Sequence, residues 1–140
     1  MSVDILLIDA TDNSQHIQKL LAGTERTTVH LVQTGTEALE FLTQRGSYSN
    51  AASPELVLLN PQLPDVDGYD LLRNLKNEPE LRAIPVIILS EFDREEDIIE
   101  SYSHHANAYI HLPDDPHTLA ETITGIKSFW LDIAHLPSLQ

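Results

Sequence analysis

Three short apolar runs, each solid rather than alternating and each closed by a polar residue, constrain this chain more than any other feature. They lie in Asp4 to Asp9 (Asp-Ile-Leu-Leu-Ile-Asp), in Leu56 to Leu59 ahead of Asn60, and in Val86 to Leu89 ahead of Ser90. A strand with one face in water alternates apolar and polar residues. A strand covered on both faces does not, and such strands belong to the middle of parallel sheets packed by helices on either side. In open sheets of that kind ligands bind beyond the carboxyl ends of the strands. Asp9, Asn60 and Ser90 therefore stand where a functional site is expected.

The segments between these runs have the other half of the pattern. Thr11-Asp12-Asn13-Ser14 offers several helix N-caps, and Ile17, Leu20 and Leu21 repeat at helical spacing until Gly23. Thr28 to Gln33 is β-branched and more polar, as an edge strand is. Thr34 and Glu37 form a capping-box pattern ahead of the stripe Ala38, Leu39, Phe41, Leu42. Gly46 to Ser53 reads as a polar loop. From Asp67 or Asp70 a third helix carries Leu71, Leu72 and Leu75 and closes at Glu78-Pro79. Asp93 to Ser103 is a helix whose first turn holds Glu95, Glu96 and Asp97, favourable against the positive end of its dipole. Asn107 to His111 is a short fifth strand. Pro113 to Pro116 turns the chain into a last helix striped by Leu119, Ile123, Ile126, Phe129, Trp130 and Ile133. Five strands alternating with five helices over short connections argue for a parallel α/β sheet covered on both faces. With 140 residues and no internal repeat or linker, one domain without an output module is expected.

Composition removes several function classes. With 22 acidic against 8 basic side chains the formal net charge is -14, the opposite of the basic footprint that nucleic acid requires. No apolar run approaches the ~20 residues of a membrane helix, and no secretory signal is visible, so a soluble, cytoplasmic protein is expected. The absence of cysteine excludes disulfides and thiolate metal sites. So large an acid excess repels itself in dilute buffer, whereas molar salt shortens the Debye length to ~3 Å, and a halophilic source is the expectation.

Taken together, Ile-Leu-Leu-Ile-Asp9, Leu-Val-Leu-Leu-Asn60-Pro-Gln-Leu-Pro-Asp-Val-Asp-Gly68, Pro85-Val-Ile-Ile-Leu-Ser90 and Ala108-Tyr-Ile-His-Leu112-Pro113 resemble the receiver domain of two-component response regulators, the CheY-like, flavodoxin-like fold. The resemblance covers essentially the whole chain. The loop before the third strand and the ending Phe129-Trp130-Leu131 are similar to stand-alone receivers partnered with phytochrome-type sensor kinases. The resemblance implies a five-stranded sheet of order 2-1-3-4-5. It also implies a phosphoryl transfer from a kinase histidine to a carboxylate at the end of strand three, with Mg²⁺ held by acids after strand one and a lysine on strand five. Each part has a physical reason: an anionic nucleophile, a cation to offset repulsion between anions, and a fixed positive charge for the transferred group.

Position by position, the matching residues depart from that pattern. Asp9 matches the first of the paired acids, but the second is Ala10. The phosphoacceptor position is Asn60 and the lysine position is Leu112. Ser90 matches the hydroxyl residue that senses the phosphoryl group, and Tyr109 matches the switch aromatic. A neutral amide oxygen is a poor nucleophile, and Mg²⁺ needs one or two carboxylates beside its waters, so Mg²⁺ binding is expected to be weak or absent, with Asp9 a remnant. A lysine left without its carboxylate partner would be a costly buried charge, so its loss fits the others. Pro61 lacks the N–H that deamidation of Asn60 would use. The expectation is a pseudo-receiver that is not an enzyme, is not phosphorylated at the usual position and has no catalytic residue. It would act on a sensor histidine kinase or other signalling protein, with a homodimer through helix four, strand five and helix five as a further arrangement.

Other readings carry less. Asp12, Asp114 and Asp115 would have to converge to rebuild a cation site, and His104-His105 lacks a third ligand at suitable spacing. A nucleotide or flavin domain needs a glycine-rich turn after strand one, where Asp9-Ala10-Thr11-Asp12 has none. A small ligand in a cleft vacated by Asn60 and Leu112 is the remaining alternative.

Overall fold

The computed structural model describes residues 3–23 and 26–137. Its centre is a five-stranded parallel sheet in the order β2-β1-β3-β4-β5. The strands are β1 Val3–Ile8, β2 Thr27–Val32, β3 Leu56–Leu59, β4 Val86–Ser90 and β5 Ala108–His111. Between and after them come α1 Ser14–Leu21, α2 Gly35–Thr43, α3 Gly68–Asn77, α4 Glu95–Ser103 and α5 Pro116–Lys127.

The solid apolar runs are explained by the two layers they serve. Successive side chains of a strand point to opposite faces. Ile5 and Leu7, Leu56 and Leu58, and Ile87 and Leu89 enter one core with Ile17 and Leu21 of α1 and Leu119, Ile123 and Ile126 of α5. Leu6 and Ile8, Val57 and Leu59, and Val86 and Ile88 enter the other, with Phe41 and Leu42 of α2 and Leu71, Leu72 and Leu75 of α3. β2 lies at one edge and is only partly covered, which is why its sequence is more polar.

Local expectations fared unevenly. Asp67 is the N-cap of α3, accepting from Tyr69 N at 2.8 Å. Thr34 caps α2 through Glu37 N, but its hydroxyl also donates to Glu37 Oε1, so the glutamate answers the hydroxyl rather than the Thr34 amide. At α1 the N-cap Asn13 has helical dihedrals and no side-chain cap bond, because the chain enters through a Thr11–Ser14 turn instead. The loop from Gly46 contains a 3₁₀ turn, Gly46–Tyr48, whose Tyr48 ring packs on Phe41.

The last helix corrects its sequence reading. It is regular only to Lys127 and then widens into a π-helical segment, Ser128–Ile133. The extra residue per turn takes the stripe off the core. Leu119, Ile123 and Ile126 are buried, Trp130 is half-buried against the same layer, and Phe129 and Ile133 are exposed.

Candidate functional site

The sheet hydrogen bonding runs just past the strand ends and sets the floor of a cleft. Asp9 N donates to Val32 O, Asn60 N to Ile8 O and Leu112 N to Ser90 O, at 3.0, 2.8 and 2.7 Å. Asp9, Asn60 and Ser90, three sequence-predicted residues, therefore sit side by side at the carboxyl ends of β1, β3 and β4, and all three are buried. Ala10 follows Asp9 and brings no donor atom. Leu112 is buried in the layer formed with α1 and α5, so the position that resembles a lysine site is part of the core.

Asp9 uses one carboxylate oxygen. Oδ1 accepts from Thr11 N at 2.7 Å and from Thr11 Oγ1 at 2.6 Å, whereas the buried Oδ2 has no hydrogen-bond partner. Burial pushes this carboxyl above the usual range; the two Thr11 bonds pull it down and the nearby Glu91 charge pushes it up again. Asn60 uses both ends of its amide. Oδ1 accepts from Gln62 N at 3.1 Å, and Nδ2 donates to the Glu91 carboxylate, 3.2 Å from Oε1 and 3.3 Å from Oε2.

Glu91 was not singled out from the sequence. Its only signal is that it follows Ser90 at the end of a central strand, and nothing local tells that its side chain crosses to β3. Around it the chain entering α4 is held at several points. Ser90 Oγ accepts from Phe92 N at 3.1 Å, Tyr109 Oη donates to Phe92 O at 2.7 Å, and His111 Nε2 lies 3.1 Å from Glu91 O, where a ring N–H donates. Tyr109, the expected switch aromatic, thus contacts the β4–α4 loop. Burial pushes its phenol up, the Ser90 hydroxyl pulls the other way, and Asp97 adds to the rise. Tyr102 of α4 closes the group by accepting from Tyr109 N at 3.2 Å, and Tyr69 of α3, near Ser101 and Asp97, is pushed up to about 12 chiefly by burial.

The loop after Asn60 is pinned as well. Asp65 accepts from Gly35 N, Thr36 N and Thr36 Oγ1 at 2.8, 3.0 and 2.8 Å, capping α2 from another loop, and these bonds hold its carboxyl below the usual range. A Cβ at Gly68 would overlap the Pro61 backbone, so the loop closes on itself beside Asn60.

The remaining candidate ligands do not gather. Asp115 is the N-cap of α5, accepting from Thr118 N and Oγ1 at 2.8 Å. His105 ends α4 in the left-handed region, φ 70°. Among the described residues no group of three or more His, Cys, Asp or Glu side chains is placed to hold a metal ion, and no helix is long and apolar enough to cross a membrane.

Comparison with known proteins agrees with this geometry. Residues 5–124 match the response regulator receiver domain. The response regulator Rcp1 of Synechocystis sp. is 35% identical over 137 residues, 97% of this chain and 93% of that protein. The crystal structure of the Mn²⁺-bound form of Rcp1 superposes with a TM-score of 0.90 at 33% identity, covering 97% of this chain and 99% of that one. That of the phosphorylated cyanobacterial phytochrome response regulator RcpA superposes with a TM-score of 0.94 at 38% identity, covering 99% and 100%.

Proposed function

The chain belongs to the response regulator receiver family, and from that premise we propose that it is a pseudo-receiver: a signalling module not phosphorylated at the usual position, which acts by protein–protein contact. The observation that carries this reading is the engagement of Asn60. Its Nδ2 is given to Glu91 and its Oδ1 accepts from Gln62 N, so the residue at the end of β3 offers no anionic nucleophile and its amide is engaged at both ends.

The Mg²⁺ that the family implies does not fit these residues. Ala10 supplies no ligand, the Asn60 amide is engaged at both ends, the Glu91 carboxylate is taken by Asn60 Nδ2, and Asp9 alone has an unpartnered oxygen. No chemical step is assigned through it.

The surface assigned to partners is the face of α4, β5 and α5. Phe92, Ile99 and Tyr102 are exposed at the α4 side, and Phe129 and Ile133 at the far end of the last helix. The edge of β5 and the end of α5 also border a cavity of about 520 Å³ lined by Ala108, Ile110, Ile126, Phe129 and Trp130. A sensor histidine kinase or another signalling protein is the partner class, and a homodimer across this face is the arrangement to test by light scattering. The acid excess is read as adaptation to salt.

Incubation with Mg²⁺ and acetyl phosphate, followed by intact mass, tests the central point. The unmodified protein is expected to show no phosphoryl adduct; an adduct overturns the reading.

A further inference from the structure

We infer that Glu91 is the positioning residue of this cleft: its carboxylate, taken by Asn60 Nδ2, holds the loop entering α4 so that the α4–β5 surface keeps one arrangement without any covalent group on residue 60. The inference deepens the pseudo-receiver reading and rests on it.

The Asn60 side chain is fully buried, and a buried amide N–H without an acceptor is costly. Glu91 meets that need, with both oxygens within 3.3 Å of Nδ2. The contact joins the end of β3 to the first residue after β4, and it is specific to the residue types present. Aspartate at position 60 would set anion against anion, and a short side chain at 91 would strand the amide. The two residues are thus a matched pair.

The stretch Ser90 to Phe92 is held by three further bonds, from Phe92 N to Ser90 Oγ within it and from Tyr109 Oη and His111 Nε2 outside it. Two of those ties come from β5, the strand beside α4 in the proposed contact face. Phe92, the residue held at both its N–H and its carbonyl, is itself exposed, with Arg94 stacked over its ring at 4.4 Å. A change at Glu91 therefore reaches the outer surface through one residue of backbone.

The test is amide hydrogen exchange of the full chain, read by mass spectrometry. Glu91→Ala is expected to quicken exchange across residues 91–103 by roughly tenfold, the loss of one hydrogen bond to a charged group, while β1 and β3 keep their rates. Glu91→Gln retains an oxygen that accepts from Asn60 Nδ2 and is expected to stay within about threefold of the parent. In an Asn60→Ala background the Glu91→Ala effect is expected to vanish, because the pair is already broken. Unchanged exchange over 91–103 in Glu91→Ala overturns the inference. So does equal loosening in Glu91→Gln, or a uniform rise that includes β1 and β3, which would mark Glu91 as a general stability residue. The acetyl phosphate experiment decides the pseudo-receiver reading separately, since it reads an adduct and not a rate of exchange.

Discussion

The two sides of the cleft have been treated differently. On the β1–β3 side residue 10 is alanine, residue 60 is an amide, and the Asp9 carboxylate leaves one buried oxygen without a partner. On the β4–β5 side each polar group is engaged. Ser90, Glu91, Tyr109 and His111 all make hydrogen bonds within the β4–α4 loop or to Asn60. In this receiver a well-bonded loop lies next to a floor with an unpartnered carboxylate oxygen. On the pseudo-receiver reading proposed above, the contrast separates the capacity to take a charge from the capacity to hold a shape.

The sharpest way to break that contrast is to return the charge. Asn60→Asp places a second carboxylate against Glu91 and beside Asp9, and chemical denaturation at neutral pH should show a loss of about 3 kcal/mol, the order expected when a buried charge has no partner. The triple variant Ala10→Asp, Asn60→Asp, Leu112→Lys should accept phosphate from acetyl phosphate poorly until Glu91→Ala clears the acceptor. Intact mass of the triple and quadruple variants compares the two, and equal adduct formation would show that Glu91 does not obstruct the site.

A smaller effect tests the floor itself. Asp9 is buried with a raised pKa, so its ionisation opposes folding; the penalty is absent below the ordinary carboxylate value and complete once the pH exceeds the folded value. Asp9→Asn, which keeps an oxygen for Thr11 and removes the buried charge, should raise the denaturation midpoint at neutral pH. The gain should fade as the pH falls from the folded value toward the unfolded one and be absent below it. Asp65 gives the opposite sign. Its lowered pKa marks a stabilising carboxylate, present above the unfolded value and lost as the pH falls through the folded one. Asp65→Ala should cost about 1 kcal/mol at neutral pH, discounted for its exposure, and little in acid. Urea titrations of the two variants across the acid range should show the differences from parent closing from opposite sides.

The mildest probe is salt. With a formal charge of -14, melting in molar KCl should lie above melting in dilute buffer, and equal values would remove the case for a salt-adapted protein.

Much of this arrangement was legible in the chain. Leu56 to Leu59 read as a doubly covered strand because both neighbouring layers demand apolar side chains, and the structure places alternate residues in each. The start of α3 was legible as one of two carboxylates, Asp67 or Asp70, and the structure places the cap at Asp67. What escaped was contact across sequence distance. Glu91 reaches a residue 31 positions earlier, and Asp65 caps a helix 30 positions earlier, so neither leaves a periodic or capping signature near itself. The π-helical end of α5 escaped for another reason. The apolar stripe has α-helical spacing and gives no sign of a wider turn, which the structure shows in the Ala134 N to Phe129 O bond at 2.7 Å and in the exposure of Phe129 and Ile133.

Gly68 gives the cleft an unexpected genetic profile. Because a methyl group there would collide with the Pro61 backbone, substitution forces apart the peptide next to Asn60 and the start of α3. A blind screen for altered signalling should return position 68 together with 60 and 91, although residue 68 has no side chain. The screen would then mark a fulcrum, a point where a local steric change becomes a displacement of the Asn60–Glu91 contact.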